Sequence, residues 1–152
     1  MRRVRSGDVV AGAAGVVLLV SMFLGWYTVD GRDDSLSAWA AFGFVDVLLA
    51  LVALLGIALA LSEVLGRGPA LPVALGVITT TLALAGTLLL AYRIINQPGP
   101  NELISVEAGA YVGLLASLGV FLGSWLSLSD ERPRPADPLP PEPQRRPTPA
   151  RS

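Results

Sequence analysis

Asp46 stands in AFGFVDVLLALVALLG, residues 41 to 56, a run that is otherwise apolar. A carboxylate in such a setting can carry a proton, hold a cation or pair with a base, and the pairing needs a base at the same depth. Arg93, in LLLAYRIINQ, is the matching cation, and Glu107, in SVEAGAY, is the competing acid. The expected arrangement is a partly buried ion pair of Asp46 and Arg93, with Glu107 or Tyr92 completing the network. Fixing the register of two helices is the role such a pair performs most simply. Conduction would call for several polar positions along one face, and the chain shows one such cluster.

Other chemistry is largely excluded by residue type. The 152 residues include no Cys and no His, which removes disulfides, thiol catalysis, thiolate or imidazole metal sites and His-based acid-base catalysis. No nucleophile-base pair is visible, so no enzyme activity and no cofactor are expected. Asp30, Asp33 and Asp34 surround Arg32, and three carboxylates can bind a hard cation. DGRDD lacks the EF-hand spacing and its terminal Glu, however, so a solvated acidic loop is expected. The basic residues, all Arg, are scattered over termini and loops instead of forming a patch, which sets nucleic-acid binding aside.

The elements that must position Asp46 and Arg93 follow from composition. Hydrophobic residues make up 53% of the chain, charged ones 15%, and the mean hydropathy is +0.61, outside the range of a soluble domain of this size. Four apolar segments run over about 9–27, 40–61, 72–92 and 108–128, each close to the ~20 residues that cross ~30 Å of hydrocarbon as a helix. Apolar segments without strand alternation must satisfy their backbone internally, so an all-α, integral-membrane four-helix bundle is expected over residues 1–128. Asp46 then lies in the outer leaflet about seven residues beyond Trp39, or in the first turn of a helix that starts later, near Phe44 or Val45, where the helix dipole favours an acid. Both placements stand on sequence alone.

Orientation rests on arginine. The N-terminal flank, the 62–71 loop and the C-terminal tail hold nine of the eleven, and the other two loops one each, which predicts both termini in the cytoplasm. Arg2, Arg3 and Arg5 before an apolar stretch also begin a signal peptide, but FLGWYTVDG lacks a small-x-small cleavage pattern. A multi-pass plasma-membrane protein is expected, with Trp26, Trp39, Tyr92 and Trp125 as interfacial anchors. Its outer loops are read as turns, NQPGPNELIS having no room for a domain.

Small residues line the fourth segment, where Gly109, Gly113 and Ser117, then Gly119, Gly123 and Ser127, recur at four-residue spacing. Such stripes let helices approach, within one chain or between copies. Thr79, Thr80 and Thr81 are expected to bond back to their own helix. After Ser129, residues 130 to 152 carry eight of the twelve prolines and almost no large apolar side chain. A disordered tail over 129–152 is expected, whose PLPP stretch could dock in a cytoplasmic partner.

FLGWYTV, LSAWAAFGFVDVLLALVALL, LLAYRIINQPG and EAGAYVGLLASLGVFLGSW together resemble a family of small four-helix membrane proteins of high-GC actinobacteria and relatives. The resemblance covers most of residues 8 to 128, with Trp39, Asp46 and the YRIINQPG turn as its most specific features. It implies a plasma-membrane location and brings no catalytic residue or cofactor. Two function classes follow: a structural or accessory protein binding a membrane protein, a second copy or a cytoplasmic partner, and a small transporter or channel subunit using Asp46 and Arg93. Small multidrug transporters use a membrane-embedded Glu in their first helix, whereas residues 9 to 27 hold no acid.

Overall fold

The structure, a computed structural model, describes residues 6–31, 34–41, 43–65, 70–97 and 103–130. The tail beyond Asp130, Arg32 and Asp33 of the acidic loop, Arg67 and the three N-terminal arginines lie outside these residues. In chain order the elements are α1 (Ser6–Ser21), β1 (Gly25–Val29), β2 (Ser35–Ser37), α2 (Ala38–Ala41), α3 (Phe44–Val64), α4 (Ala70–Ile95), β3 (Ile104–Val106) and α5 (Ala108–Asp130).

Among the described residues three helices, α3, the Val73–Ile95 part of α4, and α5, are long and apolar enough to cross a membrane. At 16 residues α1 is shorter. The first helix was expected over 9–27, and it ends six residues earlier. Beyond Ser21 the amides of Phe23 and Leu24 reach back three residues, to Val20 and Ser21, tightening the chain out of the α-helix. The aromatic and β-branched run Trp26–Val29 then pairs as a strand.

That strand is the centre of a feature not read from the sequence, a three-stranded antiparallel sheet in the order β2-β1-β3. On one side Thr28 pairs with Ser35 and Tyr27 with Leu36. On the other, Tyr27 pairs with Val106, Thr28 with Ser105 and Val29 with Ile104. The loops over 29–39 and 96–105 thus both contain strand residues, correcting their reading as plain turns. Gly31, with a positive φ of 84°, sits in the turn after β1.

The helices pack as a ring: α1 lies against α3 and α5, and α4 closes the other side against the same two. Close approaches give the register. A methyl group added at Gly123 would stand 2.5 Å from the Ala11 amide nitrogen and 2.8 Å from the Gly7 carbonyl, while one at Gly113 would stand 3.3 Å from the Ser21 hydroxyl. Residue numbers rise on α1 as they fall on α5, so the two run antiparallel. Gly76 beside Leu128 and Thr87 beside Ser117 give α4 the same relation to α5.

Two apolar clusters fill the interior. Leu18, Val52, Ala53, Ala83, Ala116 and Val120 pack the middle of the helices. Met22, Trp26, Tyr27, Val45, Leu49 and Leu90 join the sheet to the helix ends below it. Around the outside, apolar side chains are exposed on every long helix, among them Val16, Leu54, Leu88 and Leu115. The polar side chains Asp8, Ser62, Thr79, Ser117 and Ser124 are buried instead.

Candidate functional site

Helix α3 starts at Phe44 after Gly43, so Asp46 falls in its first turn. The later start is therefore the one the chain adopts. Gly43 supplies no side-chain cap, and the carboxylate of Asp46 supplies negative charge where the dipole is positive. Asp46 is nevertheless 3% exposed, and its Oδ1 is buried with no hydrogen-bond partner.

Arg93 lies in the last turn of α4, at the same end of the molecule. It is the sheet that engages it: the Tyr27 hydroxyl donates to the Arg93 carbonyl at 3.2 Å. Burial pushes the Tyr27 phenol up to about 12, against the opposing pull of the Arg93 guanidinium. Glu107 is drawn to the sheet as well, accepting a hydrogen bond from Thr28 Oγ1 at 2.7 Å through Oε1, while its amide donates to the Trp26 carbonyl at 2.8 Å. Arg93 and Glu107 are thus both tied to β1, and Asp46 Oδ1 is tied to neither. The Tyr92 hydroxyl accepts from Asn96 at 2.6 Å.

The four expected anchors divide. Trp39, Tyr92 and Trp125 are exposed, Trp39 stacking obliquely near Phe23 and Trp125 near Phe121, with ring centroids 6.1 Å apart in each pair. Trp26 is fully buried, which corrects its reading as an interfacial anchor. Its indole donates to the Ser21 carbonyl at 2.6 Å, satisfying an acceptor at the C-terminal end of α1, and its ring fills the space left by Gly109 and Gly113. A strand with strict alternation would bury only one of Trp26 and Tyr27. The register shift between Gly25 and Tyr27 is a bulge at Trp26 that lets both turn inward.

At the opposite end lie residues that the sequence reading passed over. Asp8, in the first turn of α1 and one residue ahead of the expected start at Val9, is fully buried. An acid just ahead of an apolar run is a helix-start signal and would have placed it. Of the three threonines, Thr80 and Thr81 donate to Gly76 and Val77 as expected, at 2.8 and 2.9 Å. Thr79 does not: its Oγ1 is fully buried with no partner, a state that costs about 1–3 kcal/mol in an apolar interior. Among the described residues no group of three or more His, Cys, Asp or Glu could hold a metal ion.

Fold and site together define a helical protein with three helices of membrane-crossing length, capped at one end by a small sheet. No family model, curated protein or solved structure matches this chain.

Proposed function

We propose that the chain is an integral plasma-membrane protein in which α1, α3, α4 and α5 all cross the bilayer as a four-helix bundle, termini in the cytoplasm and sheet outside. Its role is that of a structural or accessory protein, binding another membrane protein or a second copy in the bilayer, or a cytoplasmic partner through the Pro-rich tail. The observation that carries the membrane reading is the inversion of polarity: apolar side chains cover the outside of the long helices while Ser, Thr and Asp face inward. At 16 residues α1 spans about 24 Å, and the exposed Phe23 and Leu24 prolong its apolar surface toward the interface. The closed seam between α1 and α5 favours a scaffold over a conduit.

Because the chain has no Cys, single cysteines report topology directly. Ser35→Cys, on the sheet, is expected to react with a membrane-impermeant thiol reagent in intact cells, and Arg151→Cys, in the tail, only after lysis. The reverse pattern would sink the orientation. For the accessory role, capture from native membranes is compared with and without residues 130–152. A co-purifying protein that depends on the tail supports it, and identical captures remove the tail from the proposal.

Burial of the Asp46 carboxylate, with Oδ1 unpaired, favours one second reading, a small transporter or channel subunit. Proton- or cation-coupled flux in proteoliposomes, abolished by Asp46→Asn, would establish it; no flux above empty vesicles would remove it.

A further inference from the structure

Asp46 shares one face of α3 with Leu49, Ala50 and Ala53, which follow it at helical spacing. That face points inward: Leu49 and Ala53 are fully buried, and Ala50 packs against the cluster beneath the sheet. Leu49 fixes the level, since a methyl group added at Gly86 of α4 would stand 3.6 Å from Leu49 and 3.6 Å from the Ser117 hydroxyl of α5. One turn toward the sheet, the level of Asp46 holds Leu90 of α4, Met22 after α1, and Gly113 of α5 with the Trp26 ring against it. Into this apolar setting Asp46, 3% exposed, brings an oxygen, Oδ1, that is buried without a hydrogen-bond partner. A buried carboxylate oxygen in that state calls for a bound species.

The charged and titratable groups around it are engaged elsewhere. Tyr27 of β1 gives its hydroxyl to the Arg93 carbonyl, and Glu107, ahead of α5, accepts from Thr28. Arg93 of α4 lies one turn beyond Leu90 and makes no bond to Oδ1. The acid of α1, Asp8, is at the opposite end of the ring. What remains to bind must suit one carboxyl among carbon atoms. A hard metal cation takes about six oxygens, and no group of three or more His, Cys, Asp or Glu could hold one among the described residues. A proton needs a single oxygen. In the first turn of α3 the helix dipole favours the anion, while the apolar surroundings favour the neutral acid. A carboxyl held between two opposed influences exchanges its proton instead of keeping one form.

We infer that Asp46 is a proton-binding site, whose carboxyl takes up and releases one proton at the buried start of α3 and accepts no metal ion in its place. It names the ion that the second reading above leaves open. Binding stands without transport, whereas a proton carried across the membrane would rest on that reading.

The test is labelling of the full-length protein in detergent by dicyclohexylcarbodiimide, an apolar reagent that reacts with protonated carboxyls. The acid proton passes to a carbodiimide nitrogen as the carboxyl oxygen bonds the central carbon, and acyl migration to nitrogen leaves a stable N-acylurea with no leaving group. Mass spectrometry is expected to find this adduct on Asp46 at acid pH, falling as the pH rises, and equal in sodium, potassium and choline chloride. Suppression by sodium or potassium at constant pH would mean that a metal ion occupies the site and would overturn the assignment. An infrared pH-difference spectrum reads the proton without requiring the reagent to enter, and decides the matter if labelling fails. Its protonated-carboxyl stretch is expected to lose a component in Asp46→Asn, which keeps the side-chain shape, and to keep that component in Asp130→Asn, at the exposed end of α5. A spectrum that Asp46→Asn leaves unchanged would show that no proton binds there and would overturn the assignment equally. Proteoliposomes without flux would remove the transporter reading and leave both of these results standing.

Discussion

Tyr27 and Trp26 are consecutive in β1 and do different work. Tyr27 spends its hydroxyl on the end of α4, in a setting dry enough to hold its phenol at about 12. Its ordinary value is 10.0, so the unfolded chain loses the proton first. The stabilising preference for neutral Tyr27 is fully present below pH 10 and is lost as pH rises toward 12. In a phenolate absorbance titration, the difference between wild type and Tyr27→Phe should show a midpoint near 12; an ordinary midpoint would mean that water reaches the ring. Trp26→Phe keeps an aromatic ring against Gly113 but loses the bond to the Ser21 carbonyl. It should cost about 0.5–1.5 kcal/mol in detergent unfolding for the lost hydrogen bond, since the Ser21 carbonyl still accepts from the Leu24 amide. For Asp46 and Arg93, a double-mutant cycle with Asn and Gln is expected to return a coupling below about 0.5 kcal/mol, since Oδ1 of Asp46 is unpaired. A coupling above about 1 kcal/mol would establish the ion pair that the sequence led us to expect.

Between elements, the seam of α1 and α5 brings backbone against backbone. It is made at Gly7, Ala11 and Gly123, where a Cβ would meet backbone atoms that cannot rotate away. Gly123→Ala is therefore expected to destabilise by about 1–3 kcal/mol through forced separation of the two helices. Gly43, before α3, has open space around its Cβ position and a negative φ, so Gly43→Ala should lie within about 0.5 kcal/mol of wild type. Equal effects at the two sites would show that the seam is looser than drawn. The small-residue stripe on α5 was legible as a packing surface because its spacing repeats along one helix. Its mate was not, since nothing in Gly123 states that Ala11 lies opposite. Short strands such as β2 and β3, three residues each, form no stable unit alone. Theirs is borrowed stability, from Trp26 seated on α5 and from Glu107 holding both Trp26 and Thr28.

For the whole molecule, the residues beyond Asp130 hold eight of the twelve prolines and almost no large apolar side chain, a composition that cannot bury enough surface to add to the core. Truncation after Asp130 is thus expected to leave the detergent unfolding midpoint unchanged. A fall of several degrees would show that the Pro-rich tail docks on the helices. The molecule is held differently at its two ends, by a sheet at one and by buried polar side chains at the other. Perturbing Asp8 or Thr79 should leave the Tyr27 titration in place.

The sequence by itself determined that these segments are helical and that three of them reach membrane length, since a long apolar run is a local property that no distant partner alters. The expected 72–92 and 108–128 were met by helices at Ala70–Ile95 and Ala108–Asp130. It also marked Asp46, Arg93 and Glu107 as the polar groups at one end. Only the tertiary structure decided what those groups touch and where α1 stops. Val29 pairs with Ile104, and Thr28 bonds Glu107, across about half of the chain; strands of three to five residues carry too little alternation to announce a partner so far away. The same holds at the other end, where Asp8 and Thr79 are buried only because four helices, each unremarkable in pattern, meet in register.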